Sequence, residues 1–466
     1  MPGSGGFAQY SQRKRSMKII NELKTGPHGS SLNQPTCSKT GVRRASQLLA
    51  LGVVISTQSA LAQTAGSWAT IDDIDPPASA TGVATDSAGN VFVAGAITDS
   101  AGRSHAVIMR GRATGLLQQP WNWDNDPSTT AEEPSDDYAS SDGSAASYGG
   151  IASGRQANGG DHVVAVGVAE GSKWLIRRLE ADGRWTTLNL FAHPNSKYVL
   201  SRPSTIALDG TGSIYVAGNA TETVVTYKGT TATTTTVNRP LLRKFESGLW
   251  VTINLPASIS GIVRVGNNLY SSAGSPDGWW QVRKSTDGGF NWVLVDNFRY
   301  DVSSPSGAND IAADGNGNVF VVGSGVWVVT TGTGKTAKTI SHRSWIVRKG
   351  VAAGTTWATS NVFELGARTD GHGAFNIAQA VTVDQNNNVH VTGFGISDLR
   401  RWVTRQLPSG TVVWLTSDNF PYATGYYTSG WGNAADASGN VFSIGSAGNN
   451  TGVNRNWLVR GKLVTP

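Results

Sequence analysis

The sequence predicts an all-β fold: a seven-bladed β-propeller of four-stranded antiparallel blades, closed by an N-terminal strand that completes the last blade. Three observations support this prediction. A segment that begins Asp-x-x-Gly-Asn recurs along the chain, short apolar segments of strand length surround each copy, and a Trp-containing segment missing from the C-terminus appears near the N-terminus instead. Such repeats indicate units that bury their faces against neighbouring units.

The recurring segment predicts the first hairpin of each unit. Its leading Asp accepts hydrogen bonds from the turn backbone, while Gly and Asn tolerate a positive φ. The segment after the turn is rich in Val, Ile, Phe and Tyr, which favours a strand. Five clear copies and two weaker ones occur, at 86–95, 162–167, 209–218, 268–274, 314–323, 384–393 and 436–445.

Two further segments predict the third and fourth strands of each unit. The third strand ends in an Arg, which follows a Trp by three positions in five units; these are Arg110, Arg177, Arg243, Arg283, Arg348, Arg405 and Arg460. The fourth strand carries another Trp, at 123, 185, 250, 292, 357 and 414, and its seventh copy is Trp68. Because a strand at 68–72 that completes the last blade leaves no free sheet edge, we expect it to close a ring.

The repeat resembles the SBBP-type bacterial β-propeller repeat, over most of residues 64–466. One turn, 285–292, is similar to the Asp-box (BNR) hairpin of sialidase-like propellers, with Asn291 where that pattern has Thr. Both resemblances imply a propeller, and neither implies a particular chemistry.

The N-terminal region predicts a secretory signal. Arg43 and Arg44 precede an apolar run at 48–55, and Ala60 and Ala62 fit the small-residue positions of a cleavage site. We therefore expect a cleaved leader, 1–62, starting at Met1 or Met17, and a single propeller domain, 63–466, in an extracellular or periplasmic location. Cys37 would leave with the leader, so the mature chain would form no disulfides and have no thiol nucleophile.

The charge distribution argues against a nucleic-acid partner. The net charge of +6 comes from the leader: residues 1–62 hold eight Lys or Arg and one Glu, and the remainder holds 30 basic and 31 acidic residues. No apolar run reaches the roughly 18 residues of a membrane-spanning helix, so no membrane span is expected.

No residue set in the sequence predicts a catalytic, cofactor or metal site. The seven Arg residues are expected to be structural, each stacking on a Trp and pairing with a turn Asp, because they follow the repeat; an anion site is the alternative. The turn Asp residues favour turn capping over calcium binding. An acidic stretch, 124–142, is expected to be a solvated loop, with cation binding as its alternative.

The predicted function is a secreted, non-catalytic scaffold, a monomer without cofactors, that binds an extracellular protein or glycan. Two long hairpins, 219–239 and 324–343, join the second and third strands of their units, so both should project from one face. The alternative is a sialidase-like glycoside hydrolase or lyase, but its Phe/Tyr-Arg-Ile-Pro motif is missing and no carboxylate pair can be assigned.

Overall fold

The structure is a computed structural model that describes residues 68–74, 78–112, 135–156, 159–195, 197–351, 354–366, 368, 372–423, 425–449 and 455–464. These residues belong to one compact region, Ala62–Pro466. The predicted leader, Trp123 and positions 124–134 of the acidic stretch lie outside the described residues. Within the described ranges, no helix is long and apolar enough to cross a membrane.

The described chain is all-β, as predicted, and is built from four-stranded antiparallel units. Units 1 to 3 are β2 (Ala78–Thr85), β3 (Asn90–Thr98), β4 (Ser104–Arg112) and β5 (Asp136–Tyr138); β6 (Ser147–Arg155), β7 (Asp161–Ala169), β8 (Lys173–Leu179) and β9 (Trp185–Phe191); and β10 (Tyr198–Leu208), β11 (Ile214–Lys228), β12 (Thr231–Glu246) and β13 (Leu249–Asn254).

Units 4 to 6 repeat this meander. They are β14 (Gly261–Val265), β15 (Asn268–Gly274), β16 (Trp280–Ser285) and β17 (Val293–Phe298); β18 (Ser306–Ala313), β19 (Val319–Thr331), β20 (Lys338–Val351) and β21 (Thr356–Phe363); and β22 (Phe375–Val383), β23 (Val389–Ile396), β24 (Arg400–Leu407) and β25 (Leu415–Phe420). A single parallel bridge, between Arg343 and Phe375, joins units 5 and 6 into one eight-stranded sheet.

Unit 7 takes its fourth strand from the other end of the described chain. Its first three strands are β26 (Tyr427–Ala435), β27 (Val441–Gly448) and β28 (Arg455–Lys462), and β1 (Trp68–Ile74) pairs antiparallel with β28. The first strand of each unit contacts the first strand of the next, and β26 contacts β2. This arrangement of antiparallel units is consistent with a propeller-like fold.

The core lies between the units. Five third-strand Trp side chains are fully buried, and apolar residues of adjacent units share common clusters; the five are Trp174, Trp280, Trp345, Trp402 and Trp457. Both faces of each second strand are covered in this way, which explains why the recurring segment is apolar at consecutive positions.

The Gly that ends the recurring segment is required by a bulge in the first strand. A Cβ on Gly445 would lie 2.1 Å from the carbonyl oxygen of Ser429 and 2.5 Å from the Trp402 ring. The register of β26 with β27 shifts beside this contact, between Gly430 and Gly432. The bulge therefore pushes the first-strand carbonyl to where a side chain would stand.

Strand register corrects two sequence assignments. In unit 4, the residue at the pairing position of the repeated Gly is Ala273, not Gly274. Since β14 begins only after the bulge position, at Gly261, the first strand leaves room there for the methyl group of Ala273. In unit 1, Arg110 pairs with Phe92 as Lys349 pairs with Phe320. Arg110 therefore lies one residue further along its third strand than the other six Arg residues do along theirs.

Candidate functional site

Three of the seven repeated Arg residues, Arg177, Arg348 and Arg460, form ion pairs between units. Arg348, on the third strand of unit 5, donates from Nε and Nη2 to the two carboxylate oxygens of Asp296, on the fourth strand of unit 4, at 3.0 and 2.7 Å. Arg460 pairs in the same way with Asp418, and Arg177 with Asp136. Both members of the Arg348–Asp296 pair are about nine-tenths buried. The side chains of these three Arg residues thus connect adjacent units.

The partners of these Arg residues differ from the expected ones. The carboxylate comes from a strand of the preceding unit, not from a turn, and the guanidinium of Arg348 lies 4.2 Å from the ring centre of Phe298 on that strand. Where the strand carries Asn instead, as Asn189 does opposite Arg243, burial lowers the pKa of Arg243 to about 10. The set therefore mixes charged and uncharged pairings.

The turn Asp residues cap their own turns. Asp314 Oδ1 accepts backbone N–H groups from Asn316 and Asn318 at 3.0 and 2.8 Å, and Oδ2 accepts the Asn318 amide at 2.7 Å. In the part of the chain that the structure describes, no group of three or more His, Cys, Asp or Glu is arranged to hold a metal ion.

The Asp-box segment forms a self-contained turn. Asp287 accepts backbone N–H groups from Phe290 and Asn291 and the side-chain amide of Asn291, while Ser285 donates to its carboxylate. These hydrogen bonds, led by those from Asn291, lower the pKa of Asp287 to about 2. All the bonds are local, which indicates that this turn is structural.

Part of the acidic stretch is structural as well. Asp136 pairs with Arg177, and Asp137 lies 2.8 Å from His105, while the hydroxyl and backbone N–H of Ser141 donate to the Glu170 carboxylate. Asp136–Tyr138 form β5, so the expectation of a solvated loop is wrong for these three residues.

The two long hairpins differ in the side chains that they expose to solvent. The β11–β12 hairpin carries exposed Thr residues and Tyr227, which is 74% exposed. The β19–β20 hairpin carries Trp327, whose ring stacks on His342 with centroids 4.2 Å apart. The Trp327 indole N–H donates to Ser344 Oγ and Glu364 Oε1, at 2.9 and 3.2 Å. This second hairpin therefore holds an aromatic ring in a fixed orientation.

Two groups of aromatic rings lie at this end of units 5, 6 and 7: Trp327 with His342, and Phe375 with Phe394 and Trp431. His342 Nδ1 accepts the backbone N–H of Ala374 at 3.2 Å, which places the first group next to Phe375. Phe375 stacks on Phe394 with centroids 6.2 Å apart, and Phe394 meets the edge of Trp431 at 6.1 Å. We call the five residues the aromatic row: Trp327, His342, Phe375, Phe394 and Trp431. All except Phe394 are partly exposed. The row lies at the hairpin end of these strands, away from the Asp turns.

Two guanidinium groups lie against the aromatic row. The Arg343 Cζ is 5.2 Å from the Phe375 ring centre, and the Arg400 Cζ is 4.6 Å from that of Phe394. Arg343 makes a 3.4 Å contact with Ser324 Oγ, and its Nε has no hydrogen-bond partner among the described residues. The row thus combines apolar ring surfaces with guanidinium groups that lie over two of the rings.

Residues of the aromatic row differ in type from the residues at the same repeat positions in other units. This difference was the feature of the sequence that could have identified the row. At the position of Phe394 the other units carry Ala96, Val168, Asn219, Gly274, Ser324 and Ser446. At the first-strand bulge position of Trp431, units 1, 3 and 5 carry Thr81, Ser204 and Asn309. Sequence reasoning identified Trp327 and missed the others, because their proximity depends on how units meet.

One first-strand carboxylate also departs from the repeat. Asp310 stands where other units have Gly, Ala or Thr, and it accepts the backbone N–H of Val381 from unit 6 at 2.9 Å. Burial raises the pKa of Asp310 to about 6, against the opposing effect of its backbone hydrogen bonds.

No protein-family model and no curated protein matches the sequence. Several solved structures are similar to the chain at low identity. The BP39L lectin from Burkholderia pseudomallei is 13% identical with a TM-score of 0.48, over 82% of this chain and 96% of that one. The NanB sialidase from Streptococcus pneumoniae is 12% identical with a TM-score of 0.38, over 87% and 70%. The Aleuria aurantia lectin is 12% identical with a TM-score of 0.39, over 76% and 98%. The functional conclusion therefore comes from this chain's own residues.

Proposed function

We propose that the chain is a secreted, non-catalytic seven-bladed β-propeller that binds a glycan through the aromatic row. Pairing of β1 with β28 and the contact of β26 with β2 support ring closure, with each unit as one blade. The signal pattern at 43–62 supports secretion.

The aromatic row carries the proposal. Aromatic rings offer flat surfaces to the C–H faces of sugars, and nearby donors and acceptors receive the hydroxyl groups. Trp327 and Trp431 are fixed by indole hydrogen bonds to Ser344 and Ser446, so little side-chain entropy is lost when a ligand stacks on them. Apolar rings with a few fixed polar groups are typical of ligand sites.

A binding role accounts for this site better than glycoside hydrolysis does. Hydrolysis uses two carboxyl groups placed on either side of the scissile bond. Among the described residues, Glu364 is a carboxylate in contact with the aromatic row, and its Oε1 already accepts the Trp327 indole N–H and the Ser344 hydroxyl, at 3.2 and 2.7 Å. Glu364 therefore orients Trp327, a structural task.

The test is a glycan array followed by isothermal titration of the best ligand with the purified protein. Trp327→Ala should weaken binding at least about tenfold, because it removes one stacking surface worth roughly 1–2 kcal/mol. Tyr227→Ala, on the other long hairpin, is the matched control and should bind like the parent.

Three results would contradict the proposal. They are an array without binding, equal affinity of the two variants, and release of product from any bound glycan or chromogenic glycoside. Capture of a protein ligand by the Trp327 surface would replace the glycan with a protein partner.

A further inference from the structure

A cavity of about 330 Å³ lies between units 5 and 6, at the turn end of their strands. It is at the opposite end of β19 from the β19–β20 hairpin, so it is separate from the aromatic row. Its lining is mostly polar: Asp314, Asn316, Asn318, Lys349, Asn387 and Ser409 contribute, with Phe320 as the aromatic wall. A volume of a few hundred Å³ suits a small-molecule ligand.

The cavity walls are fixed by a side chain that departs from the repeat. Asn387 has a φ of 61°, at a turn position where Gly89, Gly212, Gly317 and Gly439 stand in other units. Asn is tolerated there but is less favourable than Gly. Its Oδ1 accepts the N–H of Gly315 from unit 5 at 2.8 Å, which ties the two turns together.

A third turn lining the cavity is also fixed by a hydrogen bond to an Asn side chain. Ser409, in the turn between β24 and β25, donates its N–H to Asn388 Oδ1 at 2.8 Å. The cavity is thus framed by three turns that are joined by hydrogen bonds, and it does not depend on long mobile side chains.

Lys349 supplies a cation without a carboxylate partner. Corresponding residues Arg178 and Lys244 pair with Glu180 and Glu246 two positions later. The residue two positions after Lys349 is Val351 instead, and among described residues no carboxylate lies within 4 Å of the Lys349 ammonium. The ammonium lies 5.4 Å from the ring centre of Phe320, on the cavity wall.

The nearby carboxylate of Asp314 is already used by its own turn, through three hydrogen bonds. The groups left to recognise a ligand are therefore the Lys349 ammonium, the amides of Asn316 and Asn387, and the turn backbone around Ser409. This set matches a ligand with one anionic group and several hydroxyls.

We propose that this cavity binds a small hydroxylated carboxylic acid of the size of one sugar ring, with its carboxylate on Lys349 and its hydroxyls on the Asn side chains. The proposal is independent of glycan binding by the aromatic row.

The test is isothermal titration of the purified protein with D-glucuronate, D-glucose and inorganic phosphate. Glucuronate should bind, and at least about tenfold more tightly than glucose or phosphate, because only it combines the anionic group with the hydroxyls. Lys349→Met should weaken glucuronate binding about tenfold or more. Lys284→Met is the matched control, since Lys284 occupies the same position over Tyr270 in unit 4 and should be neutral.

Asn387→Gly restores the repeat and the favourable turn, so this variant should fold well and lose affinity for glucuronate. Trp327→Ala should leave glucuronate binding unchanged, which separates this site from the aromatic row. Absence of glucuronate binding, equal binding of glucose or phosphate, or an unaffected Lys349→Met variant would each overturn the proposal.

Discussion

At the residue scale, the buried ion pairs between units make stability sensitive to the loss of either partner. Removing one partner leaves an uncompensated charge, whose cost exceeds that of losing the pair. The chain itself shows the uncharged alternative, since Arg243 faces Asn189 where Arg348 faces Asp296.

Arg348→Ala should lower the free energy of unfolding by about 3–5 kcal/mol, because Asp296 would stay buried without a cation. Arg405→Ala, which removes hydrogen bonds to Thr416 and the Trp414 carbonyl but no ion pair, should cost about 1–2 kcal/mol. Chemical denaturation measures both. Adding Asp296→Asn to Arg348→Ala should recover part of the loss, and equal costs for the two single variants would contradict this account.

Asp310 makes stability depend on pH. Its pKa is about 6 in the folded chain, against an ordinary value of 3.8, so the folded state holds the proton more tightly than the unfolded state. The free energy of unfolding therefore falls as pH rises from about 4 through 6, and stays lower above that range.

Asp310→Asn should keep the hydrogen bond from Val381 and remove this penalty. We expect a gain of up to about 3 kcal/mol at pH 8, the free energy that the raised pKa represents, and little change at pH 3, measured by denaturation across pH. A variant that gains as much at pH 3 as at pH 8 would show that the carboxylate is not the cause.

At the element scale, the hairpins could be predicted from the sequence, while the contacts between hairpins could not. The Asp-x-x-Gly-Asn turns and the strands that flank them form where they are predicted, because turn capping and short runs of strand-forming apolar residues are local features of the sequence. The sequence misassigns the register of unit 4 and the position of Arg110 by one residue each, because register is set by the pairing of whole strands and a slip of one residue leaves little local signal.

Gly445→Ala tests the role of the first-strand bulge. The new Cβ would meet the Ser429 carbonyl and Trp402 ring, so we expect a loss of about 3 kcal/mol or more in thermal or chemical unfolding. Gly274→Ala is the control, because its Cβ would have no neighbour closer than 3.9 Å and its φ is not positive. Similar losses in both variants would contradict the steric explanation.

At the scale of the whole molecule, a regular scaffold supports the irregular residues that we propose bind a ligand. The sequence predicted the scaffold, since the same physical requirements recur in every unit. The aromatic row could not be assembled from the sequence, because Phe375 meets Phe394 through the register of β22 with β23, and Phe394 meets Trp431 only through the packing of units 6 and 7.

The central claim is that Trp431 serves ligand binding and not the scaffold. At the same bulge position, Thr81, Ser204 and Ser260 each donate a hydroxyl to a carbonyl of the next unit. Trp431→Ser restores this arrangement. The most direct measurement is therefore parallel denaturation and glycan titration of Trp431→Ser. The account predicts unchanged stability, within about 1 kcal/mol, together with at least about tenfold weaker glycan binding. Lost stability with undiminished glycan binding would contradict it.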